Sequence, residues 1–193
     1  MSVTRQLSLF GVEAIAPTPD DLAGLLAGPG QVVRMGGTAR VSVVVDEMWR
    51  ATALTTEMRQ RGLAATCVAT VDEHLGVRTP YSTLLAPLAE AWLRGALKLP
   101  PPGFTLDGRR LRLWMTAAGL RDGLDVTLRL GRCQEGVDQT MRRALASIGL
   151  PAEVVVGSAS SGPSLRVSGR RRVVRLAEIV GDPPTSAPPG AWP

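Results

Sequence analysis

Arginine is the residue on which any chemistry of this chain has to rest. Of 22 basic residues, all but Lys98 are arginine. Residues 1–100 hold nine basic and nine acidic side chains, and residues 101–193 hold thirteen and eight, so the whole excess of +5 lies in the second half. A local excess suits a face turned toward a polyanion, although a solvated basic surface has the same charge. Several arginines alternate with apolar residues. In RRLRLWMTA, Arg110, Arg112 and Trp114 oppose Leu111, Leu113 and Met115. Thr127 and Arg129 oppose Val126, Leu128 and Leu130; Arg166 opposes Leu165 and Val167; Arg40 and Ser42 oppose Val41, Val43 and Val45. Read as strands, each stretch has an apolar face for a core and an Arg/Ser/Thr face for something wet. An arginine there can donate two hydrogen bonds to guanine or clamp a phosphate, and hydroxyls suit phosphates and base edges. A half-solvated antiparallel sheet is also polar outside. Five arginines against one acid, Asp125, favour DNA contact. Arg170, Arg171 and Arg172 open the last helical stretch, as further phosphate contacts or as a solvated turn.

Other chemistries find no support. His74 stands alone beside Asp72 and Glu73 in a loop, and no Ser, Cys and His constellation suggests a nucleophile. Cys67 and Cys133 lie far apart without a CxxC pair, so neither a zinc site nor a disulfide follows. No glycine-rich loop has phosphate- or dinucleotide-binding spacing. No metal and no cofactor is expected. No apolar run is long enough to span a bilayer and no secretory leader is visible. The expected location is cytoplasmic, at the nucleoid, with no membrane partner.

The elements that would position these arginines recur. A short apolar helix, 20–28, precedes a hairpin formed by QVVRM and ARVSVVVD around Gly36 and Gly37. A helix over 47–61, strand-like AATCVATV and a helix near 82–97 follow. RRLRLWMTA and LDVTLRLG then read as strands, VDQTMRRALASIGL as a helix, AEVVVG and SLRVS as strands, and RRRVVRLAEIVG as a helix. RGLAATCVAT aligns with IGLPAEVVVG and LAPLAE with VVRLAE, at offsets of 87 and 88 residues. This is an internal repeat of helix, hairpin, helix, hairpin, helix. Related halves pack about a pseudo-two-fold axis, so a monomer with internal pseudo-symmetry is expected. The predicted organisation is a tail over 1–19, a first repeat over 20–91, a second over 92–181, and a proline-rich disordered tail over 182–193.

LAGLLAGPG, Leu22 to Gly30, resembles the LAGLIDADG motif of homing endonucleases at Leu22, Ala23, Gly24, Leu25 and Gly30. WLRGALKLPPPG, near 92–103, is similar to a weaker second copy. The resemblance covers about 20–181 and implies an α/β (α+β) fold: duplicated αββαββα halves forming a saddle of antiparallel strands with helices on its convex side. It also implies a departure. Active members carry an acidic penultimate motif residue in each half, and those carboxylates hold divalent metal at the scissile phosphates. Here the positions are Pro29 and, on this alignment, Pro100, which offer a hard cation no side-chain oxygen. The implied protein keeps the fold, binds double-stranded DNA along the sheet and has lost catalysis, with residual nuclease activity the weakest reading.

Gln6-Leu7-Ser8-Leu9-Phe10 resembles the bacterial sliding-clamp-binding pentapeptide at all five positions. The resemblance implies that Leu9 and Phe10 enter an apolar pocket of the clamp while the Gln6 amide is held in a polar notch. The alternative is an edge strand or hydrophobic cap of the same domain. Together the features point to a DNA-binding accessory of replication or repair recruited by the clamp. The alternative is a sequence-specific transcriptional regulator of the same degenerate fold.

Overall fold

Two copies of one pattern share a core. The computed structural model describes residues 16–70, 72, 74–132, 134–157 and 162–193; the peptide 6–10 lies outside the described residues. The first copy begins with a 3₁₀ turn, Pro19–Leu22, and helix α1, Ala23–Ala27. Strands β1 (Gln31–Met35) and β2 (Thr38–Val45), helix α2 (Met48–Gln60), strands β3 (Thr66–Ala69) and β4 (Leu75–Arg78), and helix α3 (Ala86–Trp92) follow. A small hairpin of β5 (Leu93–Arg94) and β6 (Leu97–Lys98) leads to the second copy. That copy comprises α4 (Gly108–Ala118), β7 (Gly119–Asp122), β8 (Asp125–Arg129), α5 (Val137–Ser147), β9 (Glu153–Val155), β10 (Ser164–Ser168) and α6 (Arg170–Val180). The sheets have matching antiparallel orders, β1-β2-β4-β3 and β7-β8-β10-β9. The fold is therefore the expected α/β duplication. None of the described helices is long and apolar enough to cross a membrane.

Strand alternation sorts the side chains as predicted in β2, β8 and β10. Val41, Val43, Val45, Val126, Leu128, Leu165 and Val167 are buried against the helices in one continuous core. At the centre α1 crosses α4. Every residue of α1 is buried, so it carries no polar face. The backbones approach so closely that a Cβ on Gly24 would lie 1.9 Å from the Arg110 carbonyl oxygen. A side chain there must push the two halves apart.

The second crossing helix is thus α4, not the segment 92–103. After Trp92 the chain turns at Gly95, with φ +63°, into the β5–β6 hairpin. The second repeat begins near residue 108 rather than 92. RRLRLWMTA, expected as a strand, is helical: Asp107 caps it by accepting a hydrogen bond from the Arg110 amide at 2.9 Å. Its alternation misleads because α4 is buried nearly all round, including Trp114, Thr116 and Ala118. The segment 182–193 is not a free tail either. It folds back so that Trp192 is buried, its indole donating to the Gly181 carbonyl at 2.8 Å while Arg121 donates to the Trp192 carbonyl at 2.8 Å.

A chain of buried charges ties these elements together. Asp21, before α1, pairs with Arg61 at 3.0 Å; Arg61 pairs with Glu57 at 2.8 Å; Glu57 accepts from Arg112 of α4 at 2.6 Å. Arg112 also donates to the Val180 and Asp182 carbonyls and lies over the Trp192 ring. Burial pushes the Glu57 carboxyl up, but hydrogen bonds and charge from Arg112 and Arg61 outweigh it and hold it below its ordinary value.

Two outcomes are expected. Glu57→Ala, which removes the only carboxylate partner of Arg112 among the described residues and one of the two that hold Arg61, should cost about 3 kcal/mol in urea unfolding. Because the folded pKa of Glu57 is depressed, its contribution is complete above the unfolded carboxylate pKa, about 4.3. It should fade as pH falls below that through the folded value. Glu57→Gln should show a flatter acid limb when unfolding free energy is measured against pH.

Candidate nucleic-acid interface

The face of each sheet turned away from the helices holds the side chains opposite the buried ones. Register places Gln31, Val33 and Met35 of β1 beside Ser42, Arg40 and Thr38 of β2 on that face. Arg78 and Gly76 of β4 lie beside Ser42 and Val44, with Thr66 and Val68 of β3 beyond. In the second copy Thr127 lies between Leu120 and Arg166, Arg129 beside Ser164, and Asp125 between Asp122 and Ser168. Glu153 of β9 faces Arg166.

The two outer faces meet in a groove of about 490 Å³. Gln31, Ser42, Val44 and Asp46 line it from the first copy, Arg129 and Arg132 from the second, and Pro29 marks the end of α1. Gly131, with φ +69°, lies against Pro29, and a Cβ there would come within 2.9 Å of the proline Cα. Asp46, between β2 and α2, pairs with Arg129 at 3.2 Å and Arg50 at 3.4 Å. Burial raises its carboxyl, yet Arg129, a backbone hydrogen bond and Arg50 bring it below the usual carboxylate value. His74 is exposed at the rim.

The crossing helices end beside this groove, and each C-terminus is held by a cation of the protein. Lys98, on β6, donates to the Gly28 and Gly30 carbonyls at 2.8 Å each. Arg50, buried on α2, donates to Thr116 at 2.9 Å and Gly119 at 2.6 Å, at the end of α4. Cations stabilise helix C-termini because the last carbonyls lack intrahelical donors and the helix dipole is negative there. The residues just before the strands are Pro29-Gly30 in one copy and Ala118 in the other. Pro100, beyond α3 and the β5–β6 hairpin, therefore is not the counterpart of Pro29; that position falls at the end of α4, at Ala117-Ala118, where no side chain carries an oxygen. Among the described residues no group of three His, Cys, Asp or Glu side chains could hold a metal ion.

Of the residues expected to face DNA, Arg40, Ser42, Thr127, Arg129 and Arg166 lie on the outer faces, and Ser42 and Arg129 line the same groove. Arg110, Arg112 and Trp114 do not. Arg110 pairs with Asp20, Arg112 is held inside the charge chain, and Trp114 is fully buried with its indole donating to the Arg129 carbonyl at 2.9 Å. Acids from other elements neutralise these arginines, which strand alternation could not reveal. Arg170, Arg171 and Arg172 are exposed at the start of α6, away from the groove lining. Sequence reading missed Arg78, because β4 is only four residues long, and Arg132 in the loop after β8. It also counted too few acids: Asp122 and Glu153 share the outer face with Asp125.

No protein-family model matches the chain, and no curated protein does. Solved structures do. The homing endonuclease I-WcaI, bound to its DNA recognition sequence, superposes with a TM-score of 0.63 at 9% identity, over 83% of this chain and 79% of that one. The N-terminal LAGLIDADG domain of DUF199/WhiA gives 0.59 at 13% identity, over 94% and 96%. Full-length DUF199/WhiA from Thermatoga maritima gives 0.58 at 11% identity, over 86% of this chain and 56% of that one. The chain has the LAGLIDADG-like fold.

Lys98→Ala should cost about 1.5–3 kcal/mol, because two carbonyls lose a charged donor. Equilibrium denaturation reads it, and Lys98→Arg should recover part of the loss.

Proposed function

We propose that this protein binds double-stranded DNA without cutting it and is brought to its duplex by the bacterial sliding clamp. One observation carries the reading: the groove where the sheets meet is lined by arginine, while the helix ends beside it bear no carboxylate and are held by the protein's own cations. Arg40, Arg78, Arg129 and Arg166 offer forked donors to phosphates and base edges. The I-WcaI structure, of the same fold, has DNA bound. A divalent metal would need hard oxygen ligands at the ends of α1 and α4. Pro29 and Ala118 supply none, Lys98 and Arg50 engage the nearby carbonyls, and Asp46 is engaged by Arg129 and Arg50.

The clamp enters through Gln6, Leu7, Ser8, Leu9 and Phe10. A ring already on duplex DNA raises the local concentration of a tethered DNA-binding face, so neither contact need be tight alone. Such an accessory serves replication or repair.

The test is fluorescence anisotropy with a labelled duplex across a salt series. Binding is expected with a log–log salt slope of roughly −2 to −4, as two to four phosphate-neutralising arginines imply. No nicking is expected with magnesium or manganese; metal-dependent cleavage would restore the nuclease reading. Pull-down on the clamp should succeed for the native protein and fail for Leu9→Ala/Phe10→Ala. Binding confined to a defined site and indifferent to Leu9 and Phe10 would instead identify a transcriptional regulator.

A further inference from the structure

The two outer faces, related by the repeat, are chemically unlike. The strands of the first sheet carry Arg40 and Arg78 and no acid; Asp46, just past β2, lines the groove but is engaged by Arg129 and Arg50. Neither Arg40 nor Arg78 has a carboxylate partner among the described residues, and Arg40 is held 4.7 Å over the Tyr81 ring, which leaves its charge unneutralised. The second sheet also carries two arginines, but Arg129 is paired with Asp46 and Arg166 faces Glu153 across the strands. Asp122 and Asp125 lie opposite each other on the same face. An approaching phosphate backbone meets net attraction on the first sheet and near cancellation on the second.

The apolar residues differ too. On the first sheet Val33, Met35, Val44 and Val68 are 46%, 57%, 53% and 39% exposed, interleaved with Arg40, Ser42, Thr66 and Arg78. The second sheet has Leu120 beside the acids and the half-buried Val155 on its far strand. Exposed aliphatic side chains on a sheet face need a partner surface. In a major groove the apolar feature is the thymine C5 methyl, and guanine O6 and N7 accept from arginine.

We infer that the first sheet reads the DNA sequence, at a half-site containing thymine methyls beside guanine, and that the second sheet only steadies the duplex. This rests on the duplex-binding reading. The face belongs to DNA rather than to another protein because the outward side chains on its strands carry positive charge only, and their hydroxyl, guanidinium and methyl groups match the chemistry of phosphates and base edges.

The experiment begins with selection of preferred duplexes from a random library by the full-length native protein. Affinity for the selected duplex is then measured for two pairs of exposed substitutions, with thermal unfolding confirming that each folds. Arg40→Ala/Arg78→Ala should lose about tenfold or more, and Arg129→Ala/Arg166→Ala less than about threefold. Replacing thymine by deoxyuridine in the selected half-site should weaken native binding several-fold. Met35→Ser/Val44→Ser should remove that sensitivity. Equal losses from the two arginine pairs, or indifference to deoxyuridine, overturns the inference while leaving duplex binding in place. Unchanged affinity in Met35→Ser/Val44→Ser also overturns it and assigns the apolar patch to a protein partner. Failure of the native protein to retain any duplex removes the duplex-binding reading itself.

Discussion

The close crossing of α1 and α4 is the contact on which the rest of the molecule depends. Gly24 allows it, because the space a side chain would need is taken by the Arg110 carbonyl. Each helix leads almost directly into the first strand of its own sheet, β1 or β7. The crossing therefore sets where the sheets meet, and so where the groove between Ser42 and Arg129 lies. It also gathers the two helix C-termini, whose unpaired carbonyls create a concentrated negative end. Something positive has to stand there. In this chain it is Lys98 and Arg50, reached from β6 and α2.

The arginines divide into two populations with different work. Arg50, Arg61 and Arg112 are internal, held by carboxylates and carbonyls from elements far apart in sequence. Their pairing gains little over an apolar core of the same shape, since desolvating each ion offsets much of the attraction. What they contribute is registration: Glu57 reaches Arg112 only when both copies are docked. Arg40, Arg78, Arg129 and Arg166 are external, on strand faces that point away from the core. A basic composition can thus be mostly structural in one layer and interactive in another. The C-terminal segment belongs to the first population, since Trp192 lies against Arg112 and covers the end of α6.

The duplication, most strand faces and the apolar first helix are legible in the amino-acid order alone. These are local properties: β2, β8 and β10 are half-buried, so their burial is written as a period of two, and Gly24 lies in a run with no polar residue. Which segment crosses α1 emerges only on folding, because α4 is buried nearly all round and its arginines are neutralised by distant acids. Its polar residues Arg109, Arg112 and Thr116 do fall at helical spacing, but the Arg/Leu alternation over 110–113 looks like a strand. The same holds for the candidate site. Arg40, Ser42, Thr127, Arg129 and Arg166 were legible from alternation. The roles of Lys98, Arg50 and Asp46 were not, since each arises from a contact between groups brought together by the helix crossing. Trp192 was hidden for a related reason: five prolines in 182–193 exclude regular structure, but not packing against a body that already exists.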